Sequence, residues 1–244
     1  MRKFISLLVI FCFVASLMGC ATSSRYIANS GPPDQFGNSS KYAVKDKNLS
    51  VRLVYLVIPN SRGSFVKDAP WDEYGVEIKN ISKRDVLIKG VYLIDPRGVY
   101  IQRGSDIYSL ARMTESLSDS YKEAGIAVVA GAGAAGATTL FALAGAGALI
   151  IPLSLAAAVG APLYLMYRGQ KKAEDKEKIE AEFKKRNLPL PMGIEKGGKI
   201  SGSIFFPIVP APKALVVEYA FDQTGKSQYL KLPLGGFGGL HIKK

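Results

Sequence analysis

Residues 124–167 read AGIAVVAGAGAAGATTLFALAGAGALIIPLSLAAAVGAPLYLMY. These 44 residues, between Glu123 and Arg168, hold no Asp, Glu, Lys or Arg, and half of them are small, 7 Gly and 15 Ala. One helical crossing of a bilayer takes ~20 apolar residues, so the run suits two, with a turn at Gly145-Ala146-Gly147-Ala148. Each arm of about 22 residues is roughly 33 Å long at 1.5 Å per residue, the depth of a hydrocarbon core. The stretch predicts a transmembrane helical hairpin that enters a membrane and returns to the same side. Lipid offers no water to drive helices together, so such arms associate through close packing of small residues. Ala127, Gly131 and Ala135 form one glycine-zipper row, Ala132 and Gly136 another, and Ala157 and Ala161 a facing row. Pro152 and Pro162 are expected to kink the second arm, which lipid-embedded helices tolerate. Lys122 at one end and Arg168, Lys171 and Lys172 at the other put basic residues on one side. Two readings stay open beside this one: a soluble hairpin whose tip is buried in an oligomer or partner, and a segment that is disordered or of another structure altogether.

Both flanks of the run read as helix, which makes 105–190 a helical hairpin insertion with its apolar tip at 124–167. Ser105-Asp106 can cap the first flank, and Ile107, Leu110, Thr114, Leu117 and Tyr121 repeat at helical spacing. The second flank, Gly169 to Asn187, is laced with opposite charges four residues apart, such as Glu174/Lys178 and Glu182/Arg186. Each pair adds ~0.2–0.5 kcal/mol to an isolated helix. Ile179 and Phe183 leave a thin apolar stripe able to lie against the first flank, and Leu188-Pro189-Leu190-Pro191 stops the helix. The two flanks are expected to form a polar stalk beneath the apolar tip.

Outside the insertion the period changes to that of strands. Leu49 to Ile58, Tyr74 to Lys79, Val86 to Ile94 and Val99 to Gln102 precede it; Ile200 to Ile208, Ala214 to Phe221 and Gln228 to Leu232 follow. Tyr74, Val76 and Ile78 share one face, and Asp95-Pro96-Arg97-Gly98 is a strong turn signal. Seven short strands with regular turns predict a mainly β fold, a β-sandwich with an α insertion between its two parts, 48–104 and 191–234. Residues 235–244 read as a Gly-rich basic tail. Residues 20–47, rich in Ser, Asn, Gly and Pro, read as a flexible tether.

The amino terminus has the form of a secretory signal peptide: Met1-Arg2-Lys3, an apolar run from Phe4 to Leu17, and small residues after it. The tetrad Leu17-Met18-Gly19-Cys20 resembles the lipobox of bacterial lipoproteins. The resemblance implies cleavage after residue 19, a diacylglycerol on the Cys20 sulfur and acylation, palmitate included, of its amine. More than one acyl chain makes anchoring stable, at ~0.8 kcal/mol for each buried CH₂. Ala21 in place of Asp implies, within that family, sorting to the cell outer membrane, with the mature chain facing the periplasm. Cys12 leaves with the leader and Cys20 carries lipid, so no thiol chemistry remains.

A second resemblance rests on Val76-Glu77-Ile78-Lys79-Asn80, Val91 to Gly98, and Gly197-Gly198 leading to Gly202-Ser203-Ile204-Phe205-Phe206-Pro207. These are similar to the immunoglobulin-like domains found behind bacterial lipoprotein leaders. There a strand ending in Asn-x-Ser packs in the core and a Gly-containing turn precedes a strand with an aromatic pair. The Gly/Ala tip is similar in composition to outer-membrane lipoproteins such as the surface-exclusion proteins of conjugative plasmids.

The formal charge is +12, and +10 once Arg2 and Lys3 leave. Such a chain is attracted to anionic membranes or lipopolysaccharide; no nucleic-acid motif accompanies the charge. Little chemistry is in evidence. His241 is the sole histidine, in a Gly-rich tail, and reads as an incidental surface residue. Gly131 to Gly136 matches G-x-G-x-x-G only through composition. Asp72-Glu73 and Glu174-Asp175 read as solvent-facing acid pairs, and Trp71 as a packing residue. The chain is therefore read as a non-enzyme without cofactor or metal: a lipid-anchored envelope protein with a structural or protein-interaction role. Its partners are membrane lipid and, through the hairpin, further copies or an envelope complex. A subunit of an oligomeric pore or of a secretion or conjugation apparatus, and a ligand-binding sandwich module, are the alternatives.

Overall fold

Alternating apolar residues build the sheets, and one-residue slips keep them facing the same way. The computed structural model describes residues 24–37, 39–128, 161–221 and 225–242, with side chains omitted over 161–172. The strands are β1 (Ala43–Lys45), β2 (Leu49–Val57), β3 (Trp71–Asn80), β4 (Val86–Ile94), β5 (Tyr100–Gln102), β6 (Met192–Ile194), β7 (Lys199–Pro207), β8 (Ala214–Ala220) and β9 (Gln228–Pro233). All seven expected strands are present; β1 and β6, three residues each, are additional. They form two antiparallel sheets, one ordered β1-β2-β3-β7 and the other β5-β4-β8-β9. β6 pairs with Val86–Ile88 and β5 with Tyr92–Ile94, so the two share one edge of β4.

The inner faces share one hydrophobic cluster. Leu49, Val51 and Leu53 of β2 and Tyr74, Val76 and Ile78 of β3 meet Ile88, Val91 and Leu93 of β4 and Leu215, Val217 and Tyr219 of β8. On β4 the inward residues change from even to odd numbers because the register slips between Ile88 and Gly90. The bulge adds one residue and restores the buried face. Each such side chain contributes ~1.5–3 kcal/mol on burial. Asn80, wholly buried where β3 ends, donates to the carbonyls of Arg84, Ile194 and Glu195 and accepts from Ser82. Those bonds tie the ends of three strands.

Alternation fails at Trp71–Val76, where every residue is buried. A third layer covers the outer face of the first sheet there. It consists of the segment around Phe65 and two helices, α1 (Ile107–Glu123) and α2 (Ala161–Arg186). Consecutive Phe205 and Phe206 are both fully buried for this reason. Phe206 meets Tyr74 edge-on in the inner core at 5.6 Å, and Phe205 meets Phe183 of α2 at 4.5 Å on the other side.

Asp106 caps α1, accepting from the amides of Tyr108 and Ser109 while the Ser109 hydroxyl accepts from the Asp106 amide. The expected apolar face is the one that packs: Leu110 and Tyr121 are fully buried, and the Thr114 hydroxyl bonds Pro70 and Ile208. α1 is thus laid against the sheets rather than raised as a stalk. It ends at Gly125, whose φ of 74° suits glycine, with the Ile126 amide returning to the Tyr121 carbonyl at 2.8 Å. In α2, Ile179 and Phe183 dock as the stripe predicts.

The stretch expected as a tether lies on the domain from Ser24 onward. Tyr26 bridges Val66, Gln35 bridges Tyr55, and Phe36 packs on Tyr42 and Phe237. Its three aromatic residues hold a segment whose composition otherwise favours solvent.

Candidate functional site: the mount of the insertion

The two ends of the segment 105–190 are held together at one neck. Arg103, just before the segment, donates to the carbonyls of Leu188 (3.3 Å) and Leu190 (3.1 Å), at its far end. Gly104 has no room for a side chain because Leu110 packs where a Cβ would stand.

Two buried carboxylates fix the helices beyond this neck. Asp95, with no exposed surface, accepts from Arg97 Nε at 2.8 Å, from the amides of Arg97 and Val99, and from the Tyr121 hydroxyl at 3.3 Å. The Arg97 guanidinium covers the Tyr121 ring at 4.6 Å and bonds Ser120. The last turn of α1 is held there. Burial and the Asp95 charge push the Tyr121 phenol well above its ordinary value.

At the end of α2, Arg186 spans Glu182 (2.9 Å), Glu73 (3.2 Å) and the Gly63 carbonyl (3.0 Å), with its plane over Phe65. Glu73 also accepts from Ser203 at 2.6 Å and Tyr55 at 3.3 Å. Burial pushes the Glu73 carboxyl above its ordinary value, and Ser203, Arg186 and Tyr55 offset only part of that. The Tyr55 ring occupies the space over Gly75, where any Cβ would overlap it.

Two terminal segments complete the mount. The Ser24 hydroxyl and Arg25 amide bond the Asp175 carboxylate of α2 at 2.7 and 2.9 Å. At the other end of the chain, His241 Nε2 lies 3.0 and 2.9 Å from the two oxygens of Asp72. Asp72 is wholly buried, and burial raises its pKa even beside His241. Ile242 then bridges Val128, a residue of the apolar run.

Several expectations are corrected here. His241 is a buried partner, not an incidental surface residue. Asp72 and Glu73 are interior, not solvent-facing; β3 is central and covered on both sides, so each carboxylate needs its own cation or hydroxyls. Trp71 packs against Phe65 and Phe205, as expected. Ala127 lies in irregular chain past the end of α1 and is exposed; Ala161 lies in α2. Gly131, Ala132, Ala135, Gly136, Ala157 and Cys20 lie outside the described residues. Among the described residues no helix is long and apolar enough to cross a membrane.

No protein-family model matches the chain, and neither a curated protein nor a solved structure does. Its reading therefore rests on the residues themselves. Sequence reasoning missed Arg103, Asp95, Glu73, Arg186 and Asp175 as parts of one mount. Asp95, Glu73 and Arg103 signal only as charges inside, or next to, an apolar element, and Asp175 and Arg186 are hidden among the other charges of the second flank.

Proposed function

We propose that this is a lipid-anchored envelope protein whose two sheets form an immunoglobulin-like sandwich that mounts an apolar hairpin. Acylated Cys20 and the hairpin at 124–167 enter the same membrane. The strand order, β1-β2-β3-β7 against β5-β4-β8-β9, is compatible with the immunoglobulin-like resemblance. Asn80 and Phe206, both wholly buried, fit the core roles that resemblance implies for the Asn-x-Ser strand end and the aromatic pair.

One observation carries the reading: Ser24 is hydrogen-bonded to Asp175. Four residues of chain reach at most ~14 Å from Ser24 back to Cys20. Eight helical residues cover about 12 Å from Asp175 to Tyr167, the end of the uncharged run. Lipid and apolar run can therefore meet one surface, with Arg168, Lys171 and Lys172 near its anionic headgroups. Fractionation tests this. A Cys20→Ser chain is expected to stay with membranes, and to leave them when residues 129–160 are also deleted. A Cys20→Ser chain that is soluble by itself overturns the embedded hairpin.

A further inference from the structure

The outer face of the second sheet carries a second, independent site. Ile94, Ala214 and Val216 form a small buried cluster there, with Tyr92 packed against them. The pairing register sets Ile94 opposite Tyr100, Gly90 opposite Glu218, and Glu218 opposite Tyr229. Gly90 lets Tyr92 lean across the sheet, since a Cβ there would stand 2.8 Å from the Tyr92 hydroxyl. That hydroxyl donates to Glu218 Oε2 at 2.8 Å, and Ser227 Oγ donates to Oε1 at 2.6 Å. The result is a cleft of about 300 Å³ lined by Tyr92, Tyr100, Glu218 and Tyr229. That is the lower end of the roughly 300–1,000 Å³ of small-molecule sites.

The chemistry is unusual for a surface. Tyr100 and Tyr229 are 55% and 59% exposed, whereas Ile94, Ala214 and Val216 of the same sheet are covered. The Tyr92 and Tyr100 rings stand 6.2 Å apart at 70°, so they form walls rather than a stack. Ser227, with help from Tyr92, Lys89 and Tyr229, holds the Glu218 carboxyl below its ordinary value against the opposing effect of burial. Burial and Glu218 push the Tyr92 phenol up to about 12, so it remains a neutral donor. A carboxylate has about four lone-pair positions, and the Tyr92 and Ser227 hydroxyls already occupy two of them here. What remains for a ligand is negative charge and the negative faces of phenol rings, with a reduced capacity to accept further hydrogen bonds. Sugars and primary amines need those bonds; a fully alkylated nitrogen does not.

We propose that the cleft between Tyr92, Tyr100, Tyr229 and Glu218 binds a quaternary ammonium group, held by cation–π contact and one carboxylate. The general excess of Lys and Arg is screened beyond about 8 Å at physiological salt. Lys89 is turned to Gly225 O and Ser227 Oγ at 3.1 and 3.4 Å. Lys231, opposite Val216 on the same face, is an exposed cation that opposes binding.

The test uses the full-length chain in a neutral maltoside detergent and follows the methyl signal of tetramethylammonium by saturation-transfer NMR. Saturable binding in the millimolar range is expected. It should weaken about fivefold in Tyr100→Ala or Tyr229→Ala, at least tenfold in Glu218→Gln, and strengthen about twofold in Lys231→Ala. Tyr100 is exposed and gives Glu218 no hydrogen bond, so its variant keeps the fold, which a melting curve checks. No binding up to 50 mM, equal binding by all variants, or preference for N-acetylglucosamine each overturns the proposal. Glycerophosphocholine binding tighter than choline upholds it with a lipid headgroup as the source; the reverse upholds it with a free solute.

Discussion

Replacing Arg186 with Met should destabilise the protein by about 3 kcal/mol. Breaking a buried ion pair from one side typically costs ~3–5 kcal/mol, because the other charge stays behind. Glu73 is that charge, with its side chain 2% exposed. It retains Ser203 at 2.6 Å and Tyr55 at 3.3 Å, which lowers the cost. Arg186 itself is 23% exposed in its side chain, which lowers it further. Against this, the Gly63 carbonyl loses a donor, a net loss of ~1 kcal/mol, and Phe65 loses its cation, ~0.5–1 kcal/mol. Met preserves the packing of the side-chain stem. At about 2–4 °C per kcal/mol for a domain of this size, Tm falls by roughly 6–12 °C. The assay is thermal and denaturant unfolding of the full chain, together with Glu73→Gln and the double variant. A coupling of about 2 kcal/mol is expected across the cycle. A single-variant loss below about 1 kcal/mol, or coupling within ~0.5 kcal/mol of zero, refutes the lock at the end of α2.

Three further outcomes follow from the same geometry. His241→Ala strands the buried Asp72 carboxylate and should cost about 3 kcal/mol in denaturant unfolding, part of which Asp72→Asn should restore. Tyr74→Phe removes a buried hydroxyl with no hydrogen-bond partner among the described residues, so it should leave Tm unchanged or raise it by the equivalent of about 1 kcal/mol. Burial raises the Asp106 pKa, but bonds from Ser109, Ser105 and Tyr108 outweigh it and hold it below the ordinary value. A depressed carboxyl stabilises fully above the unfolded value near 3.9 and loses that contribution as pH falls through the folded one. Asp106→Ala should therefore cost about 1 kcal/mol at pH 7 and less at pH 3, read by denaturation at both.

The strands were legible because period and turn chemistry agreed. Val86 to Ile94 is expected and observed with the same ends, bounded by a polar turn and by Asp95-Pro96. β1 and β6 were not, since three residues cannot display a period of two. Asp72 and Glu73 misled because a strand covered on both faces carries no alternation, and adjacent acids elsewhere mark solvent. His241 gained a role only through a 169-residue separation in sequence, which no local pattern reports. The strap at 24–37 looked like linker because its anchors, Tyr26 and Phe36, are sparse among Ser, Asn, Gly and Pro. The cleft of Tyr92, Tyr100 and Tyr229 needs the register of three strands before its members become neighbours. The lipobox rests on a resemblance and the apolar run on composition, and they lie largely outside the described residues.

The account depends on Gly136 and Val159 facing lipid while the sheets stay in water. In a chain whose Cys20 is acylated, Gly136→Cys and Val159→Cys each supply a single thiol for a membrane-impermeant maleimide, with exposed Lys196→Cys as the reference. In intact envelopes the reference should label fully, and the two hairpin positions only after detergent dissolves the bilayer. Labelling of Gly136→Cys and Val159→Cys as readily as the reference, or protection that survives detergent, contradicts a lipid-embedded hairpin.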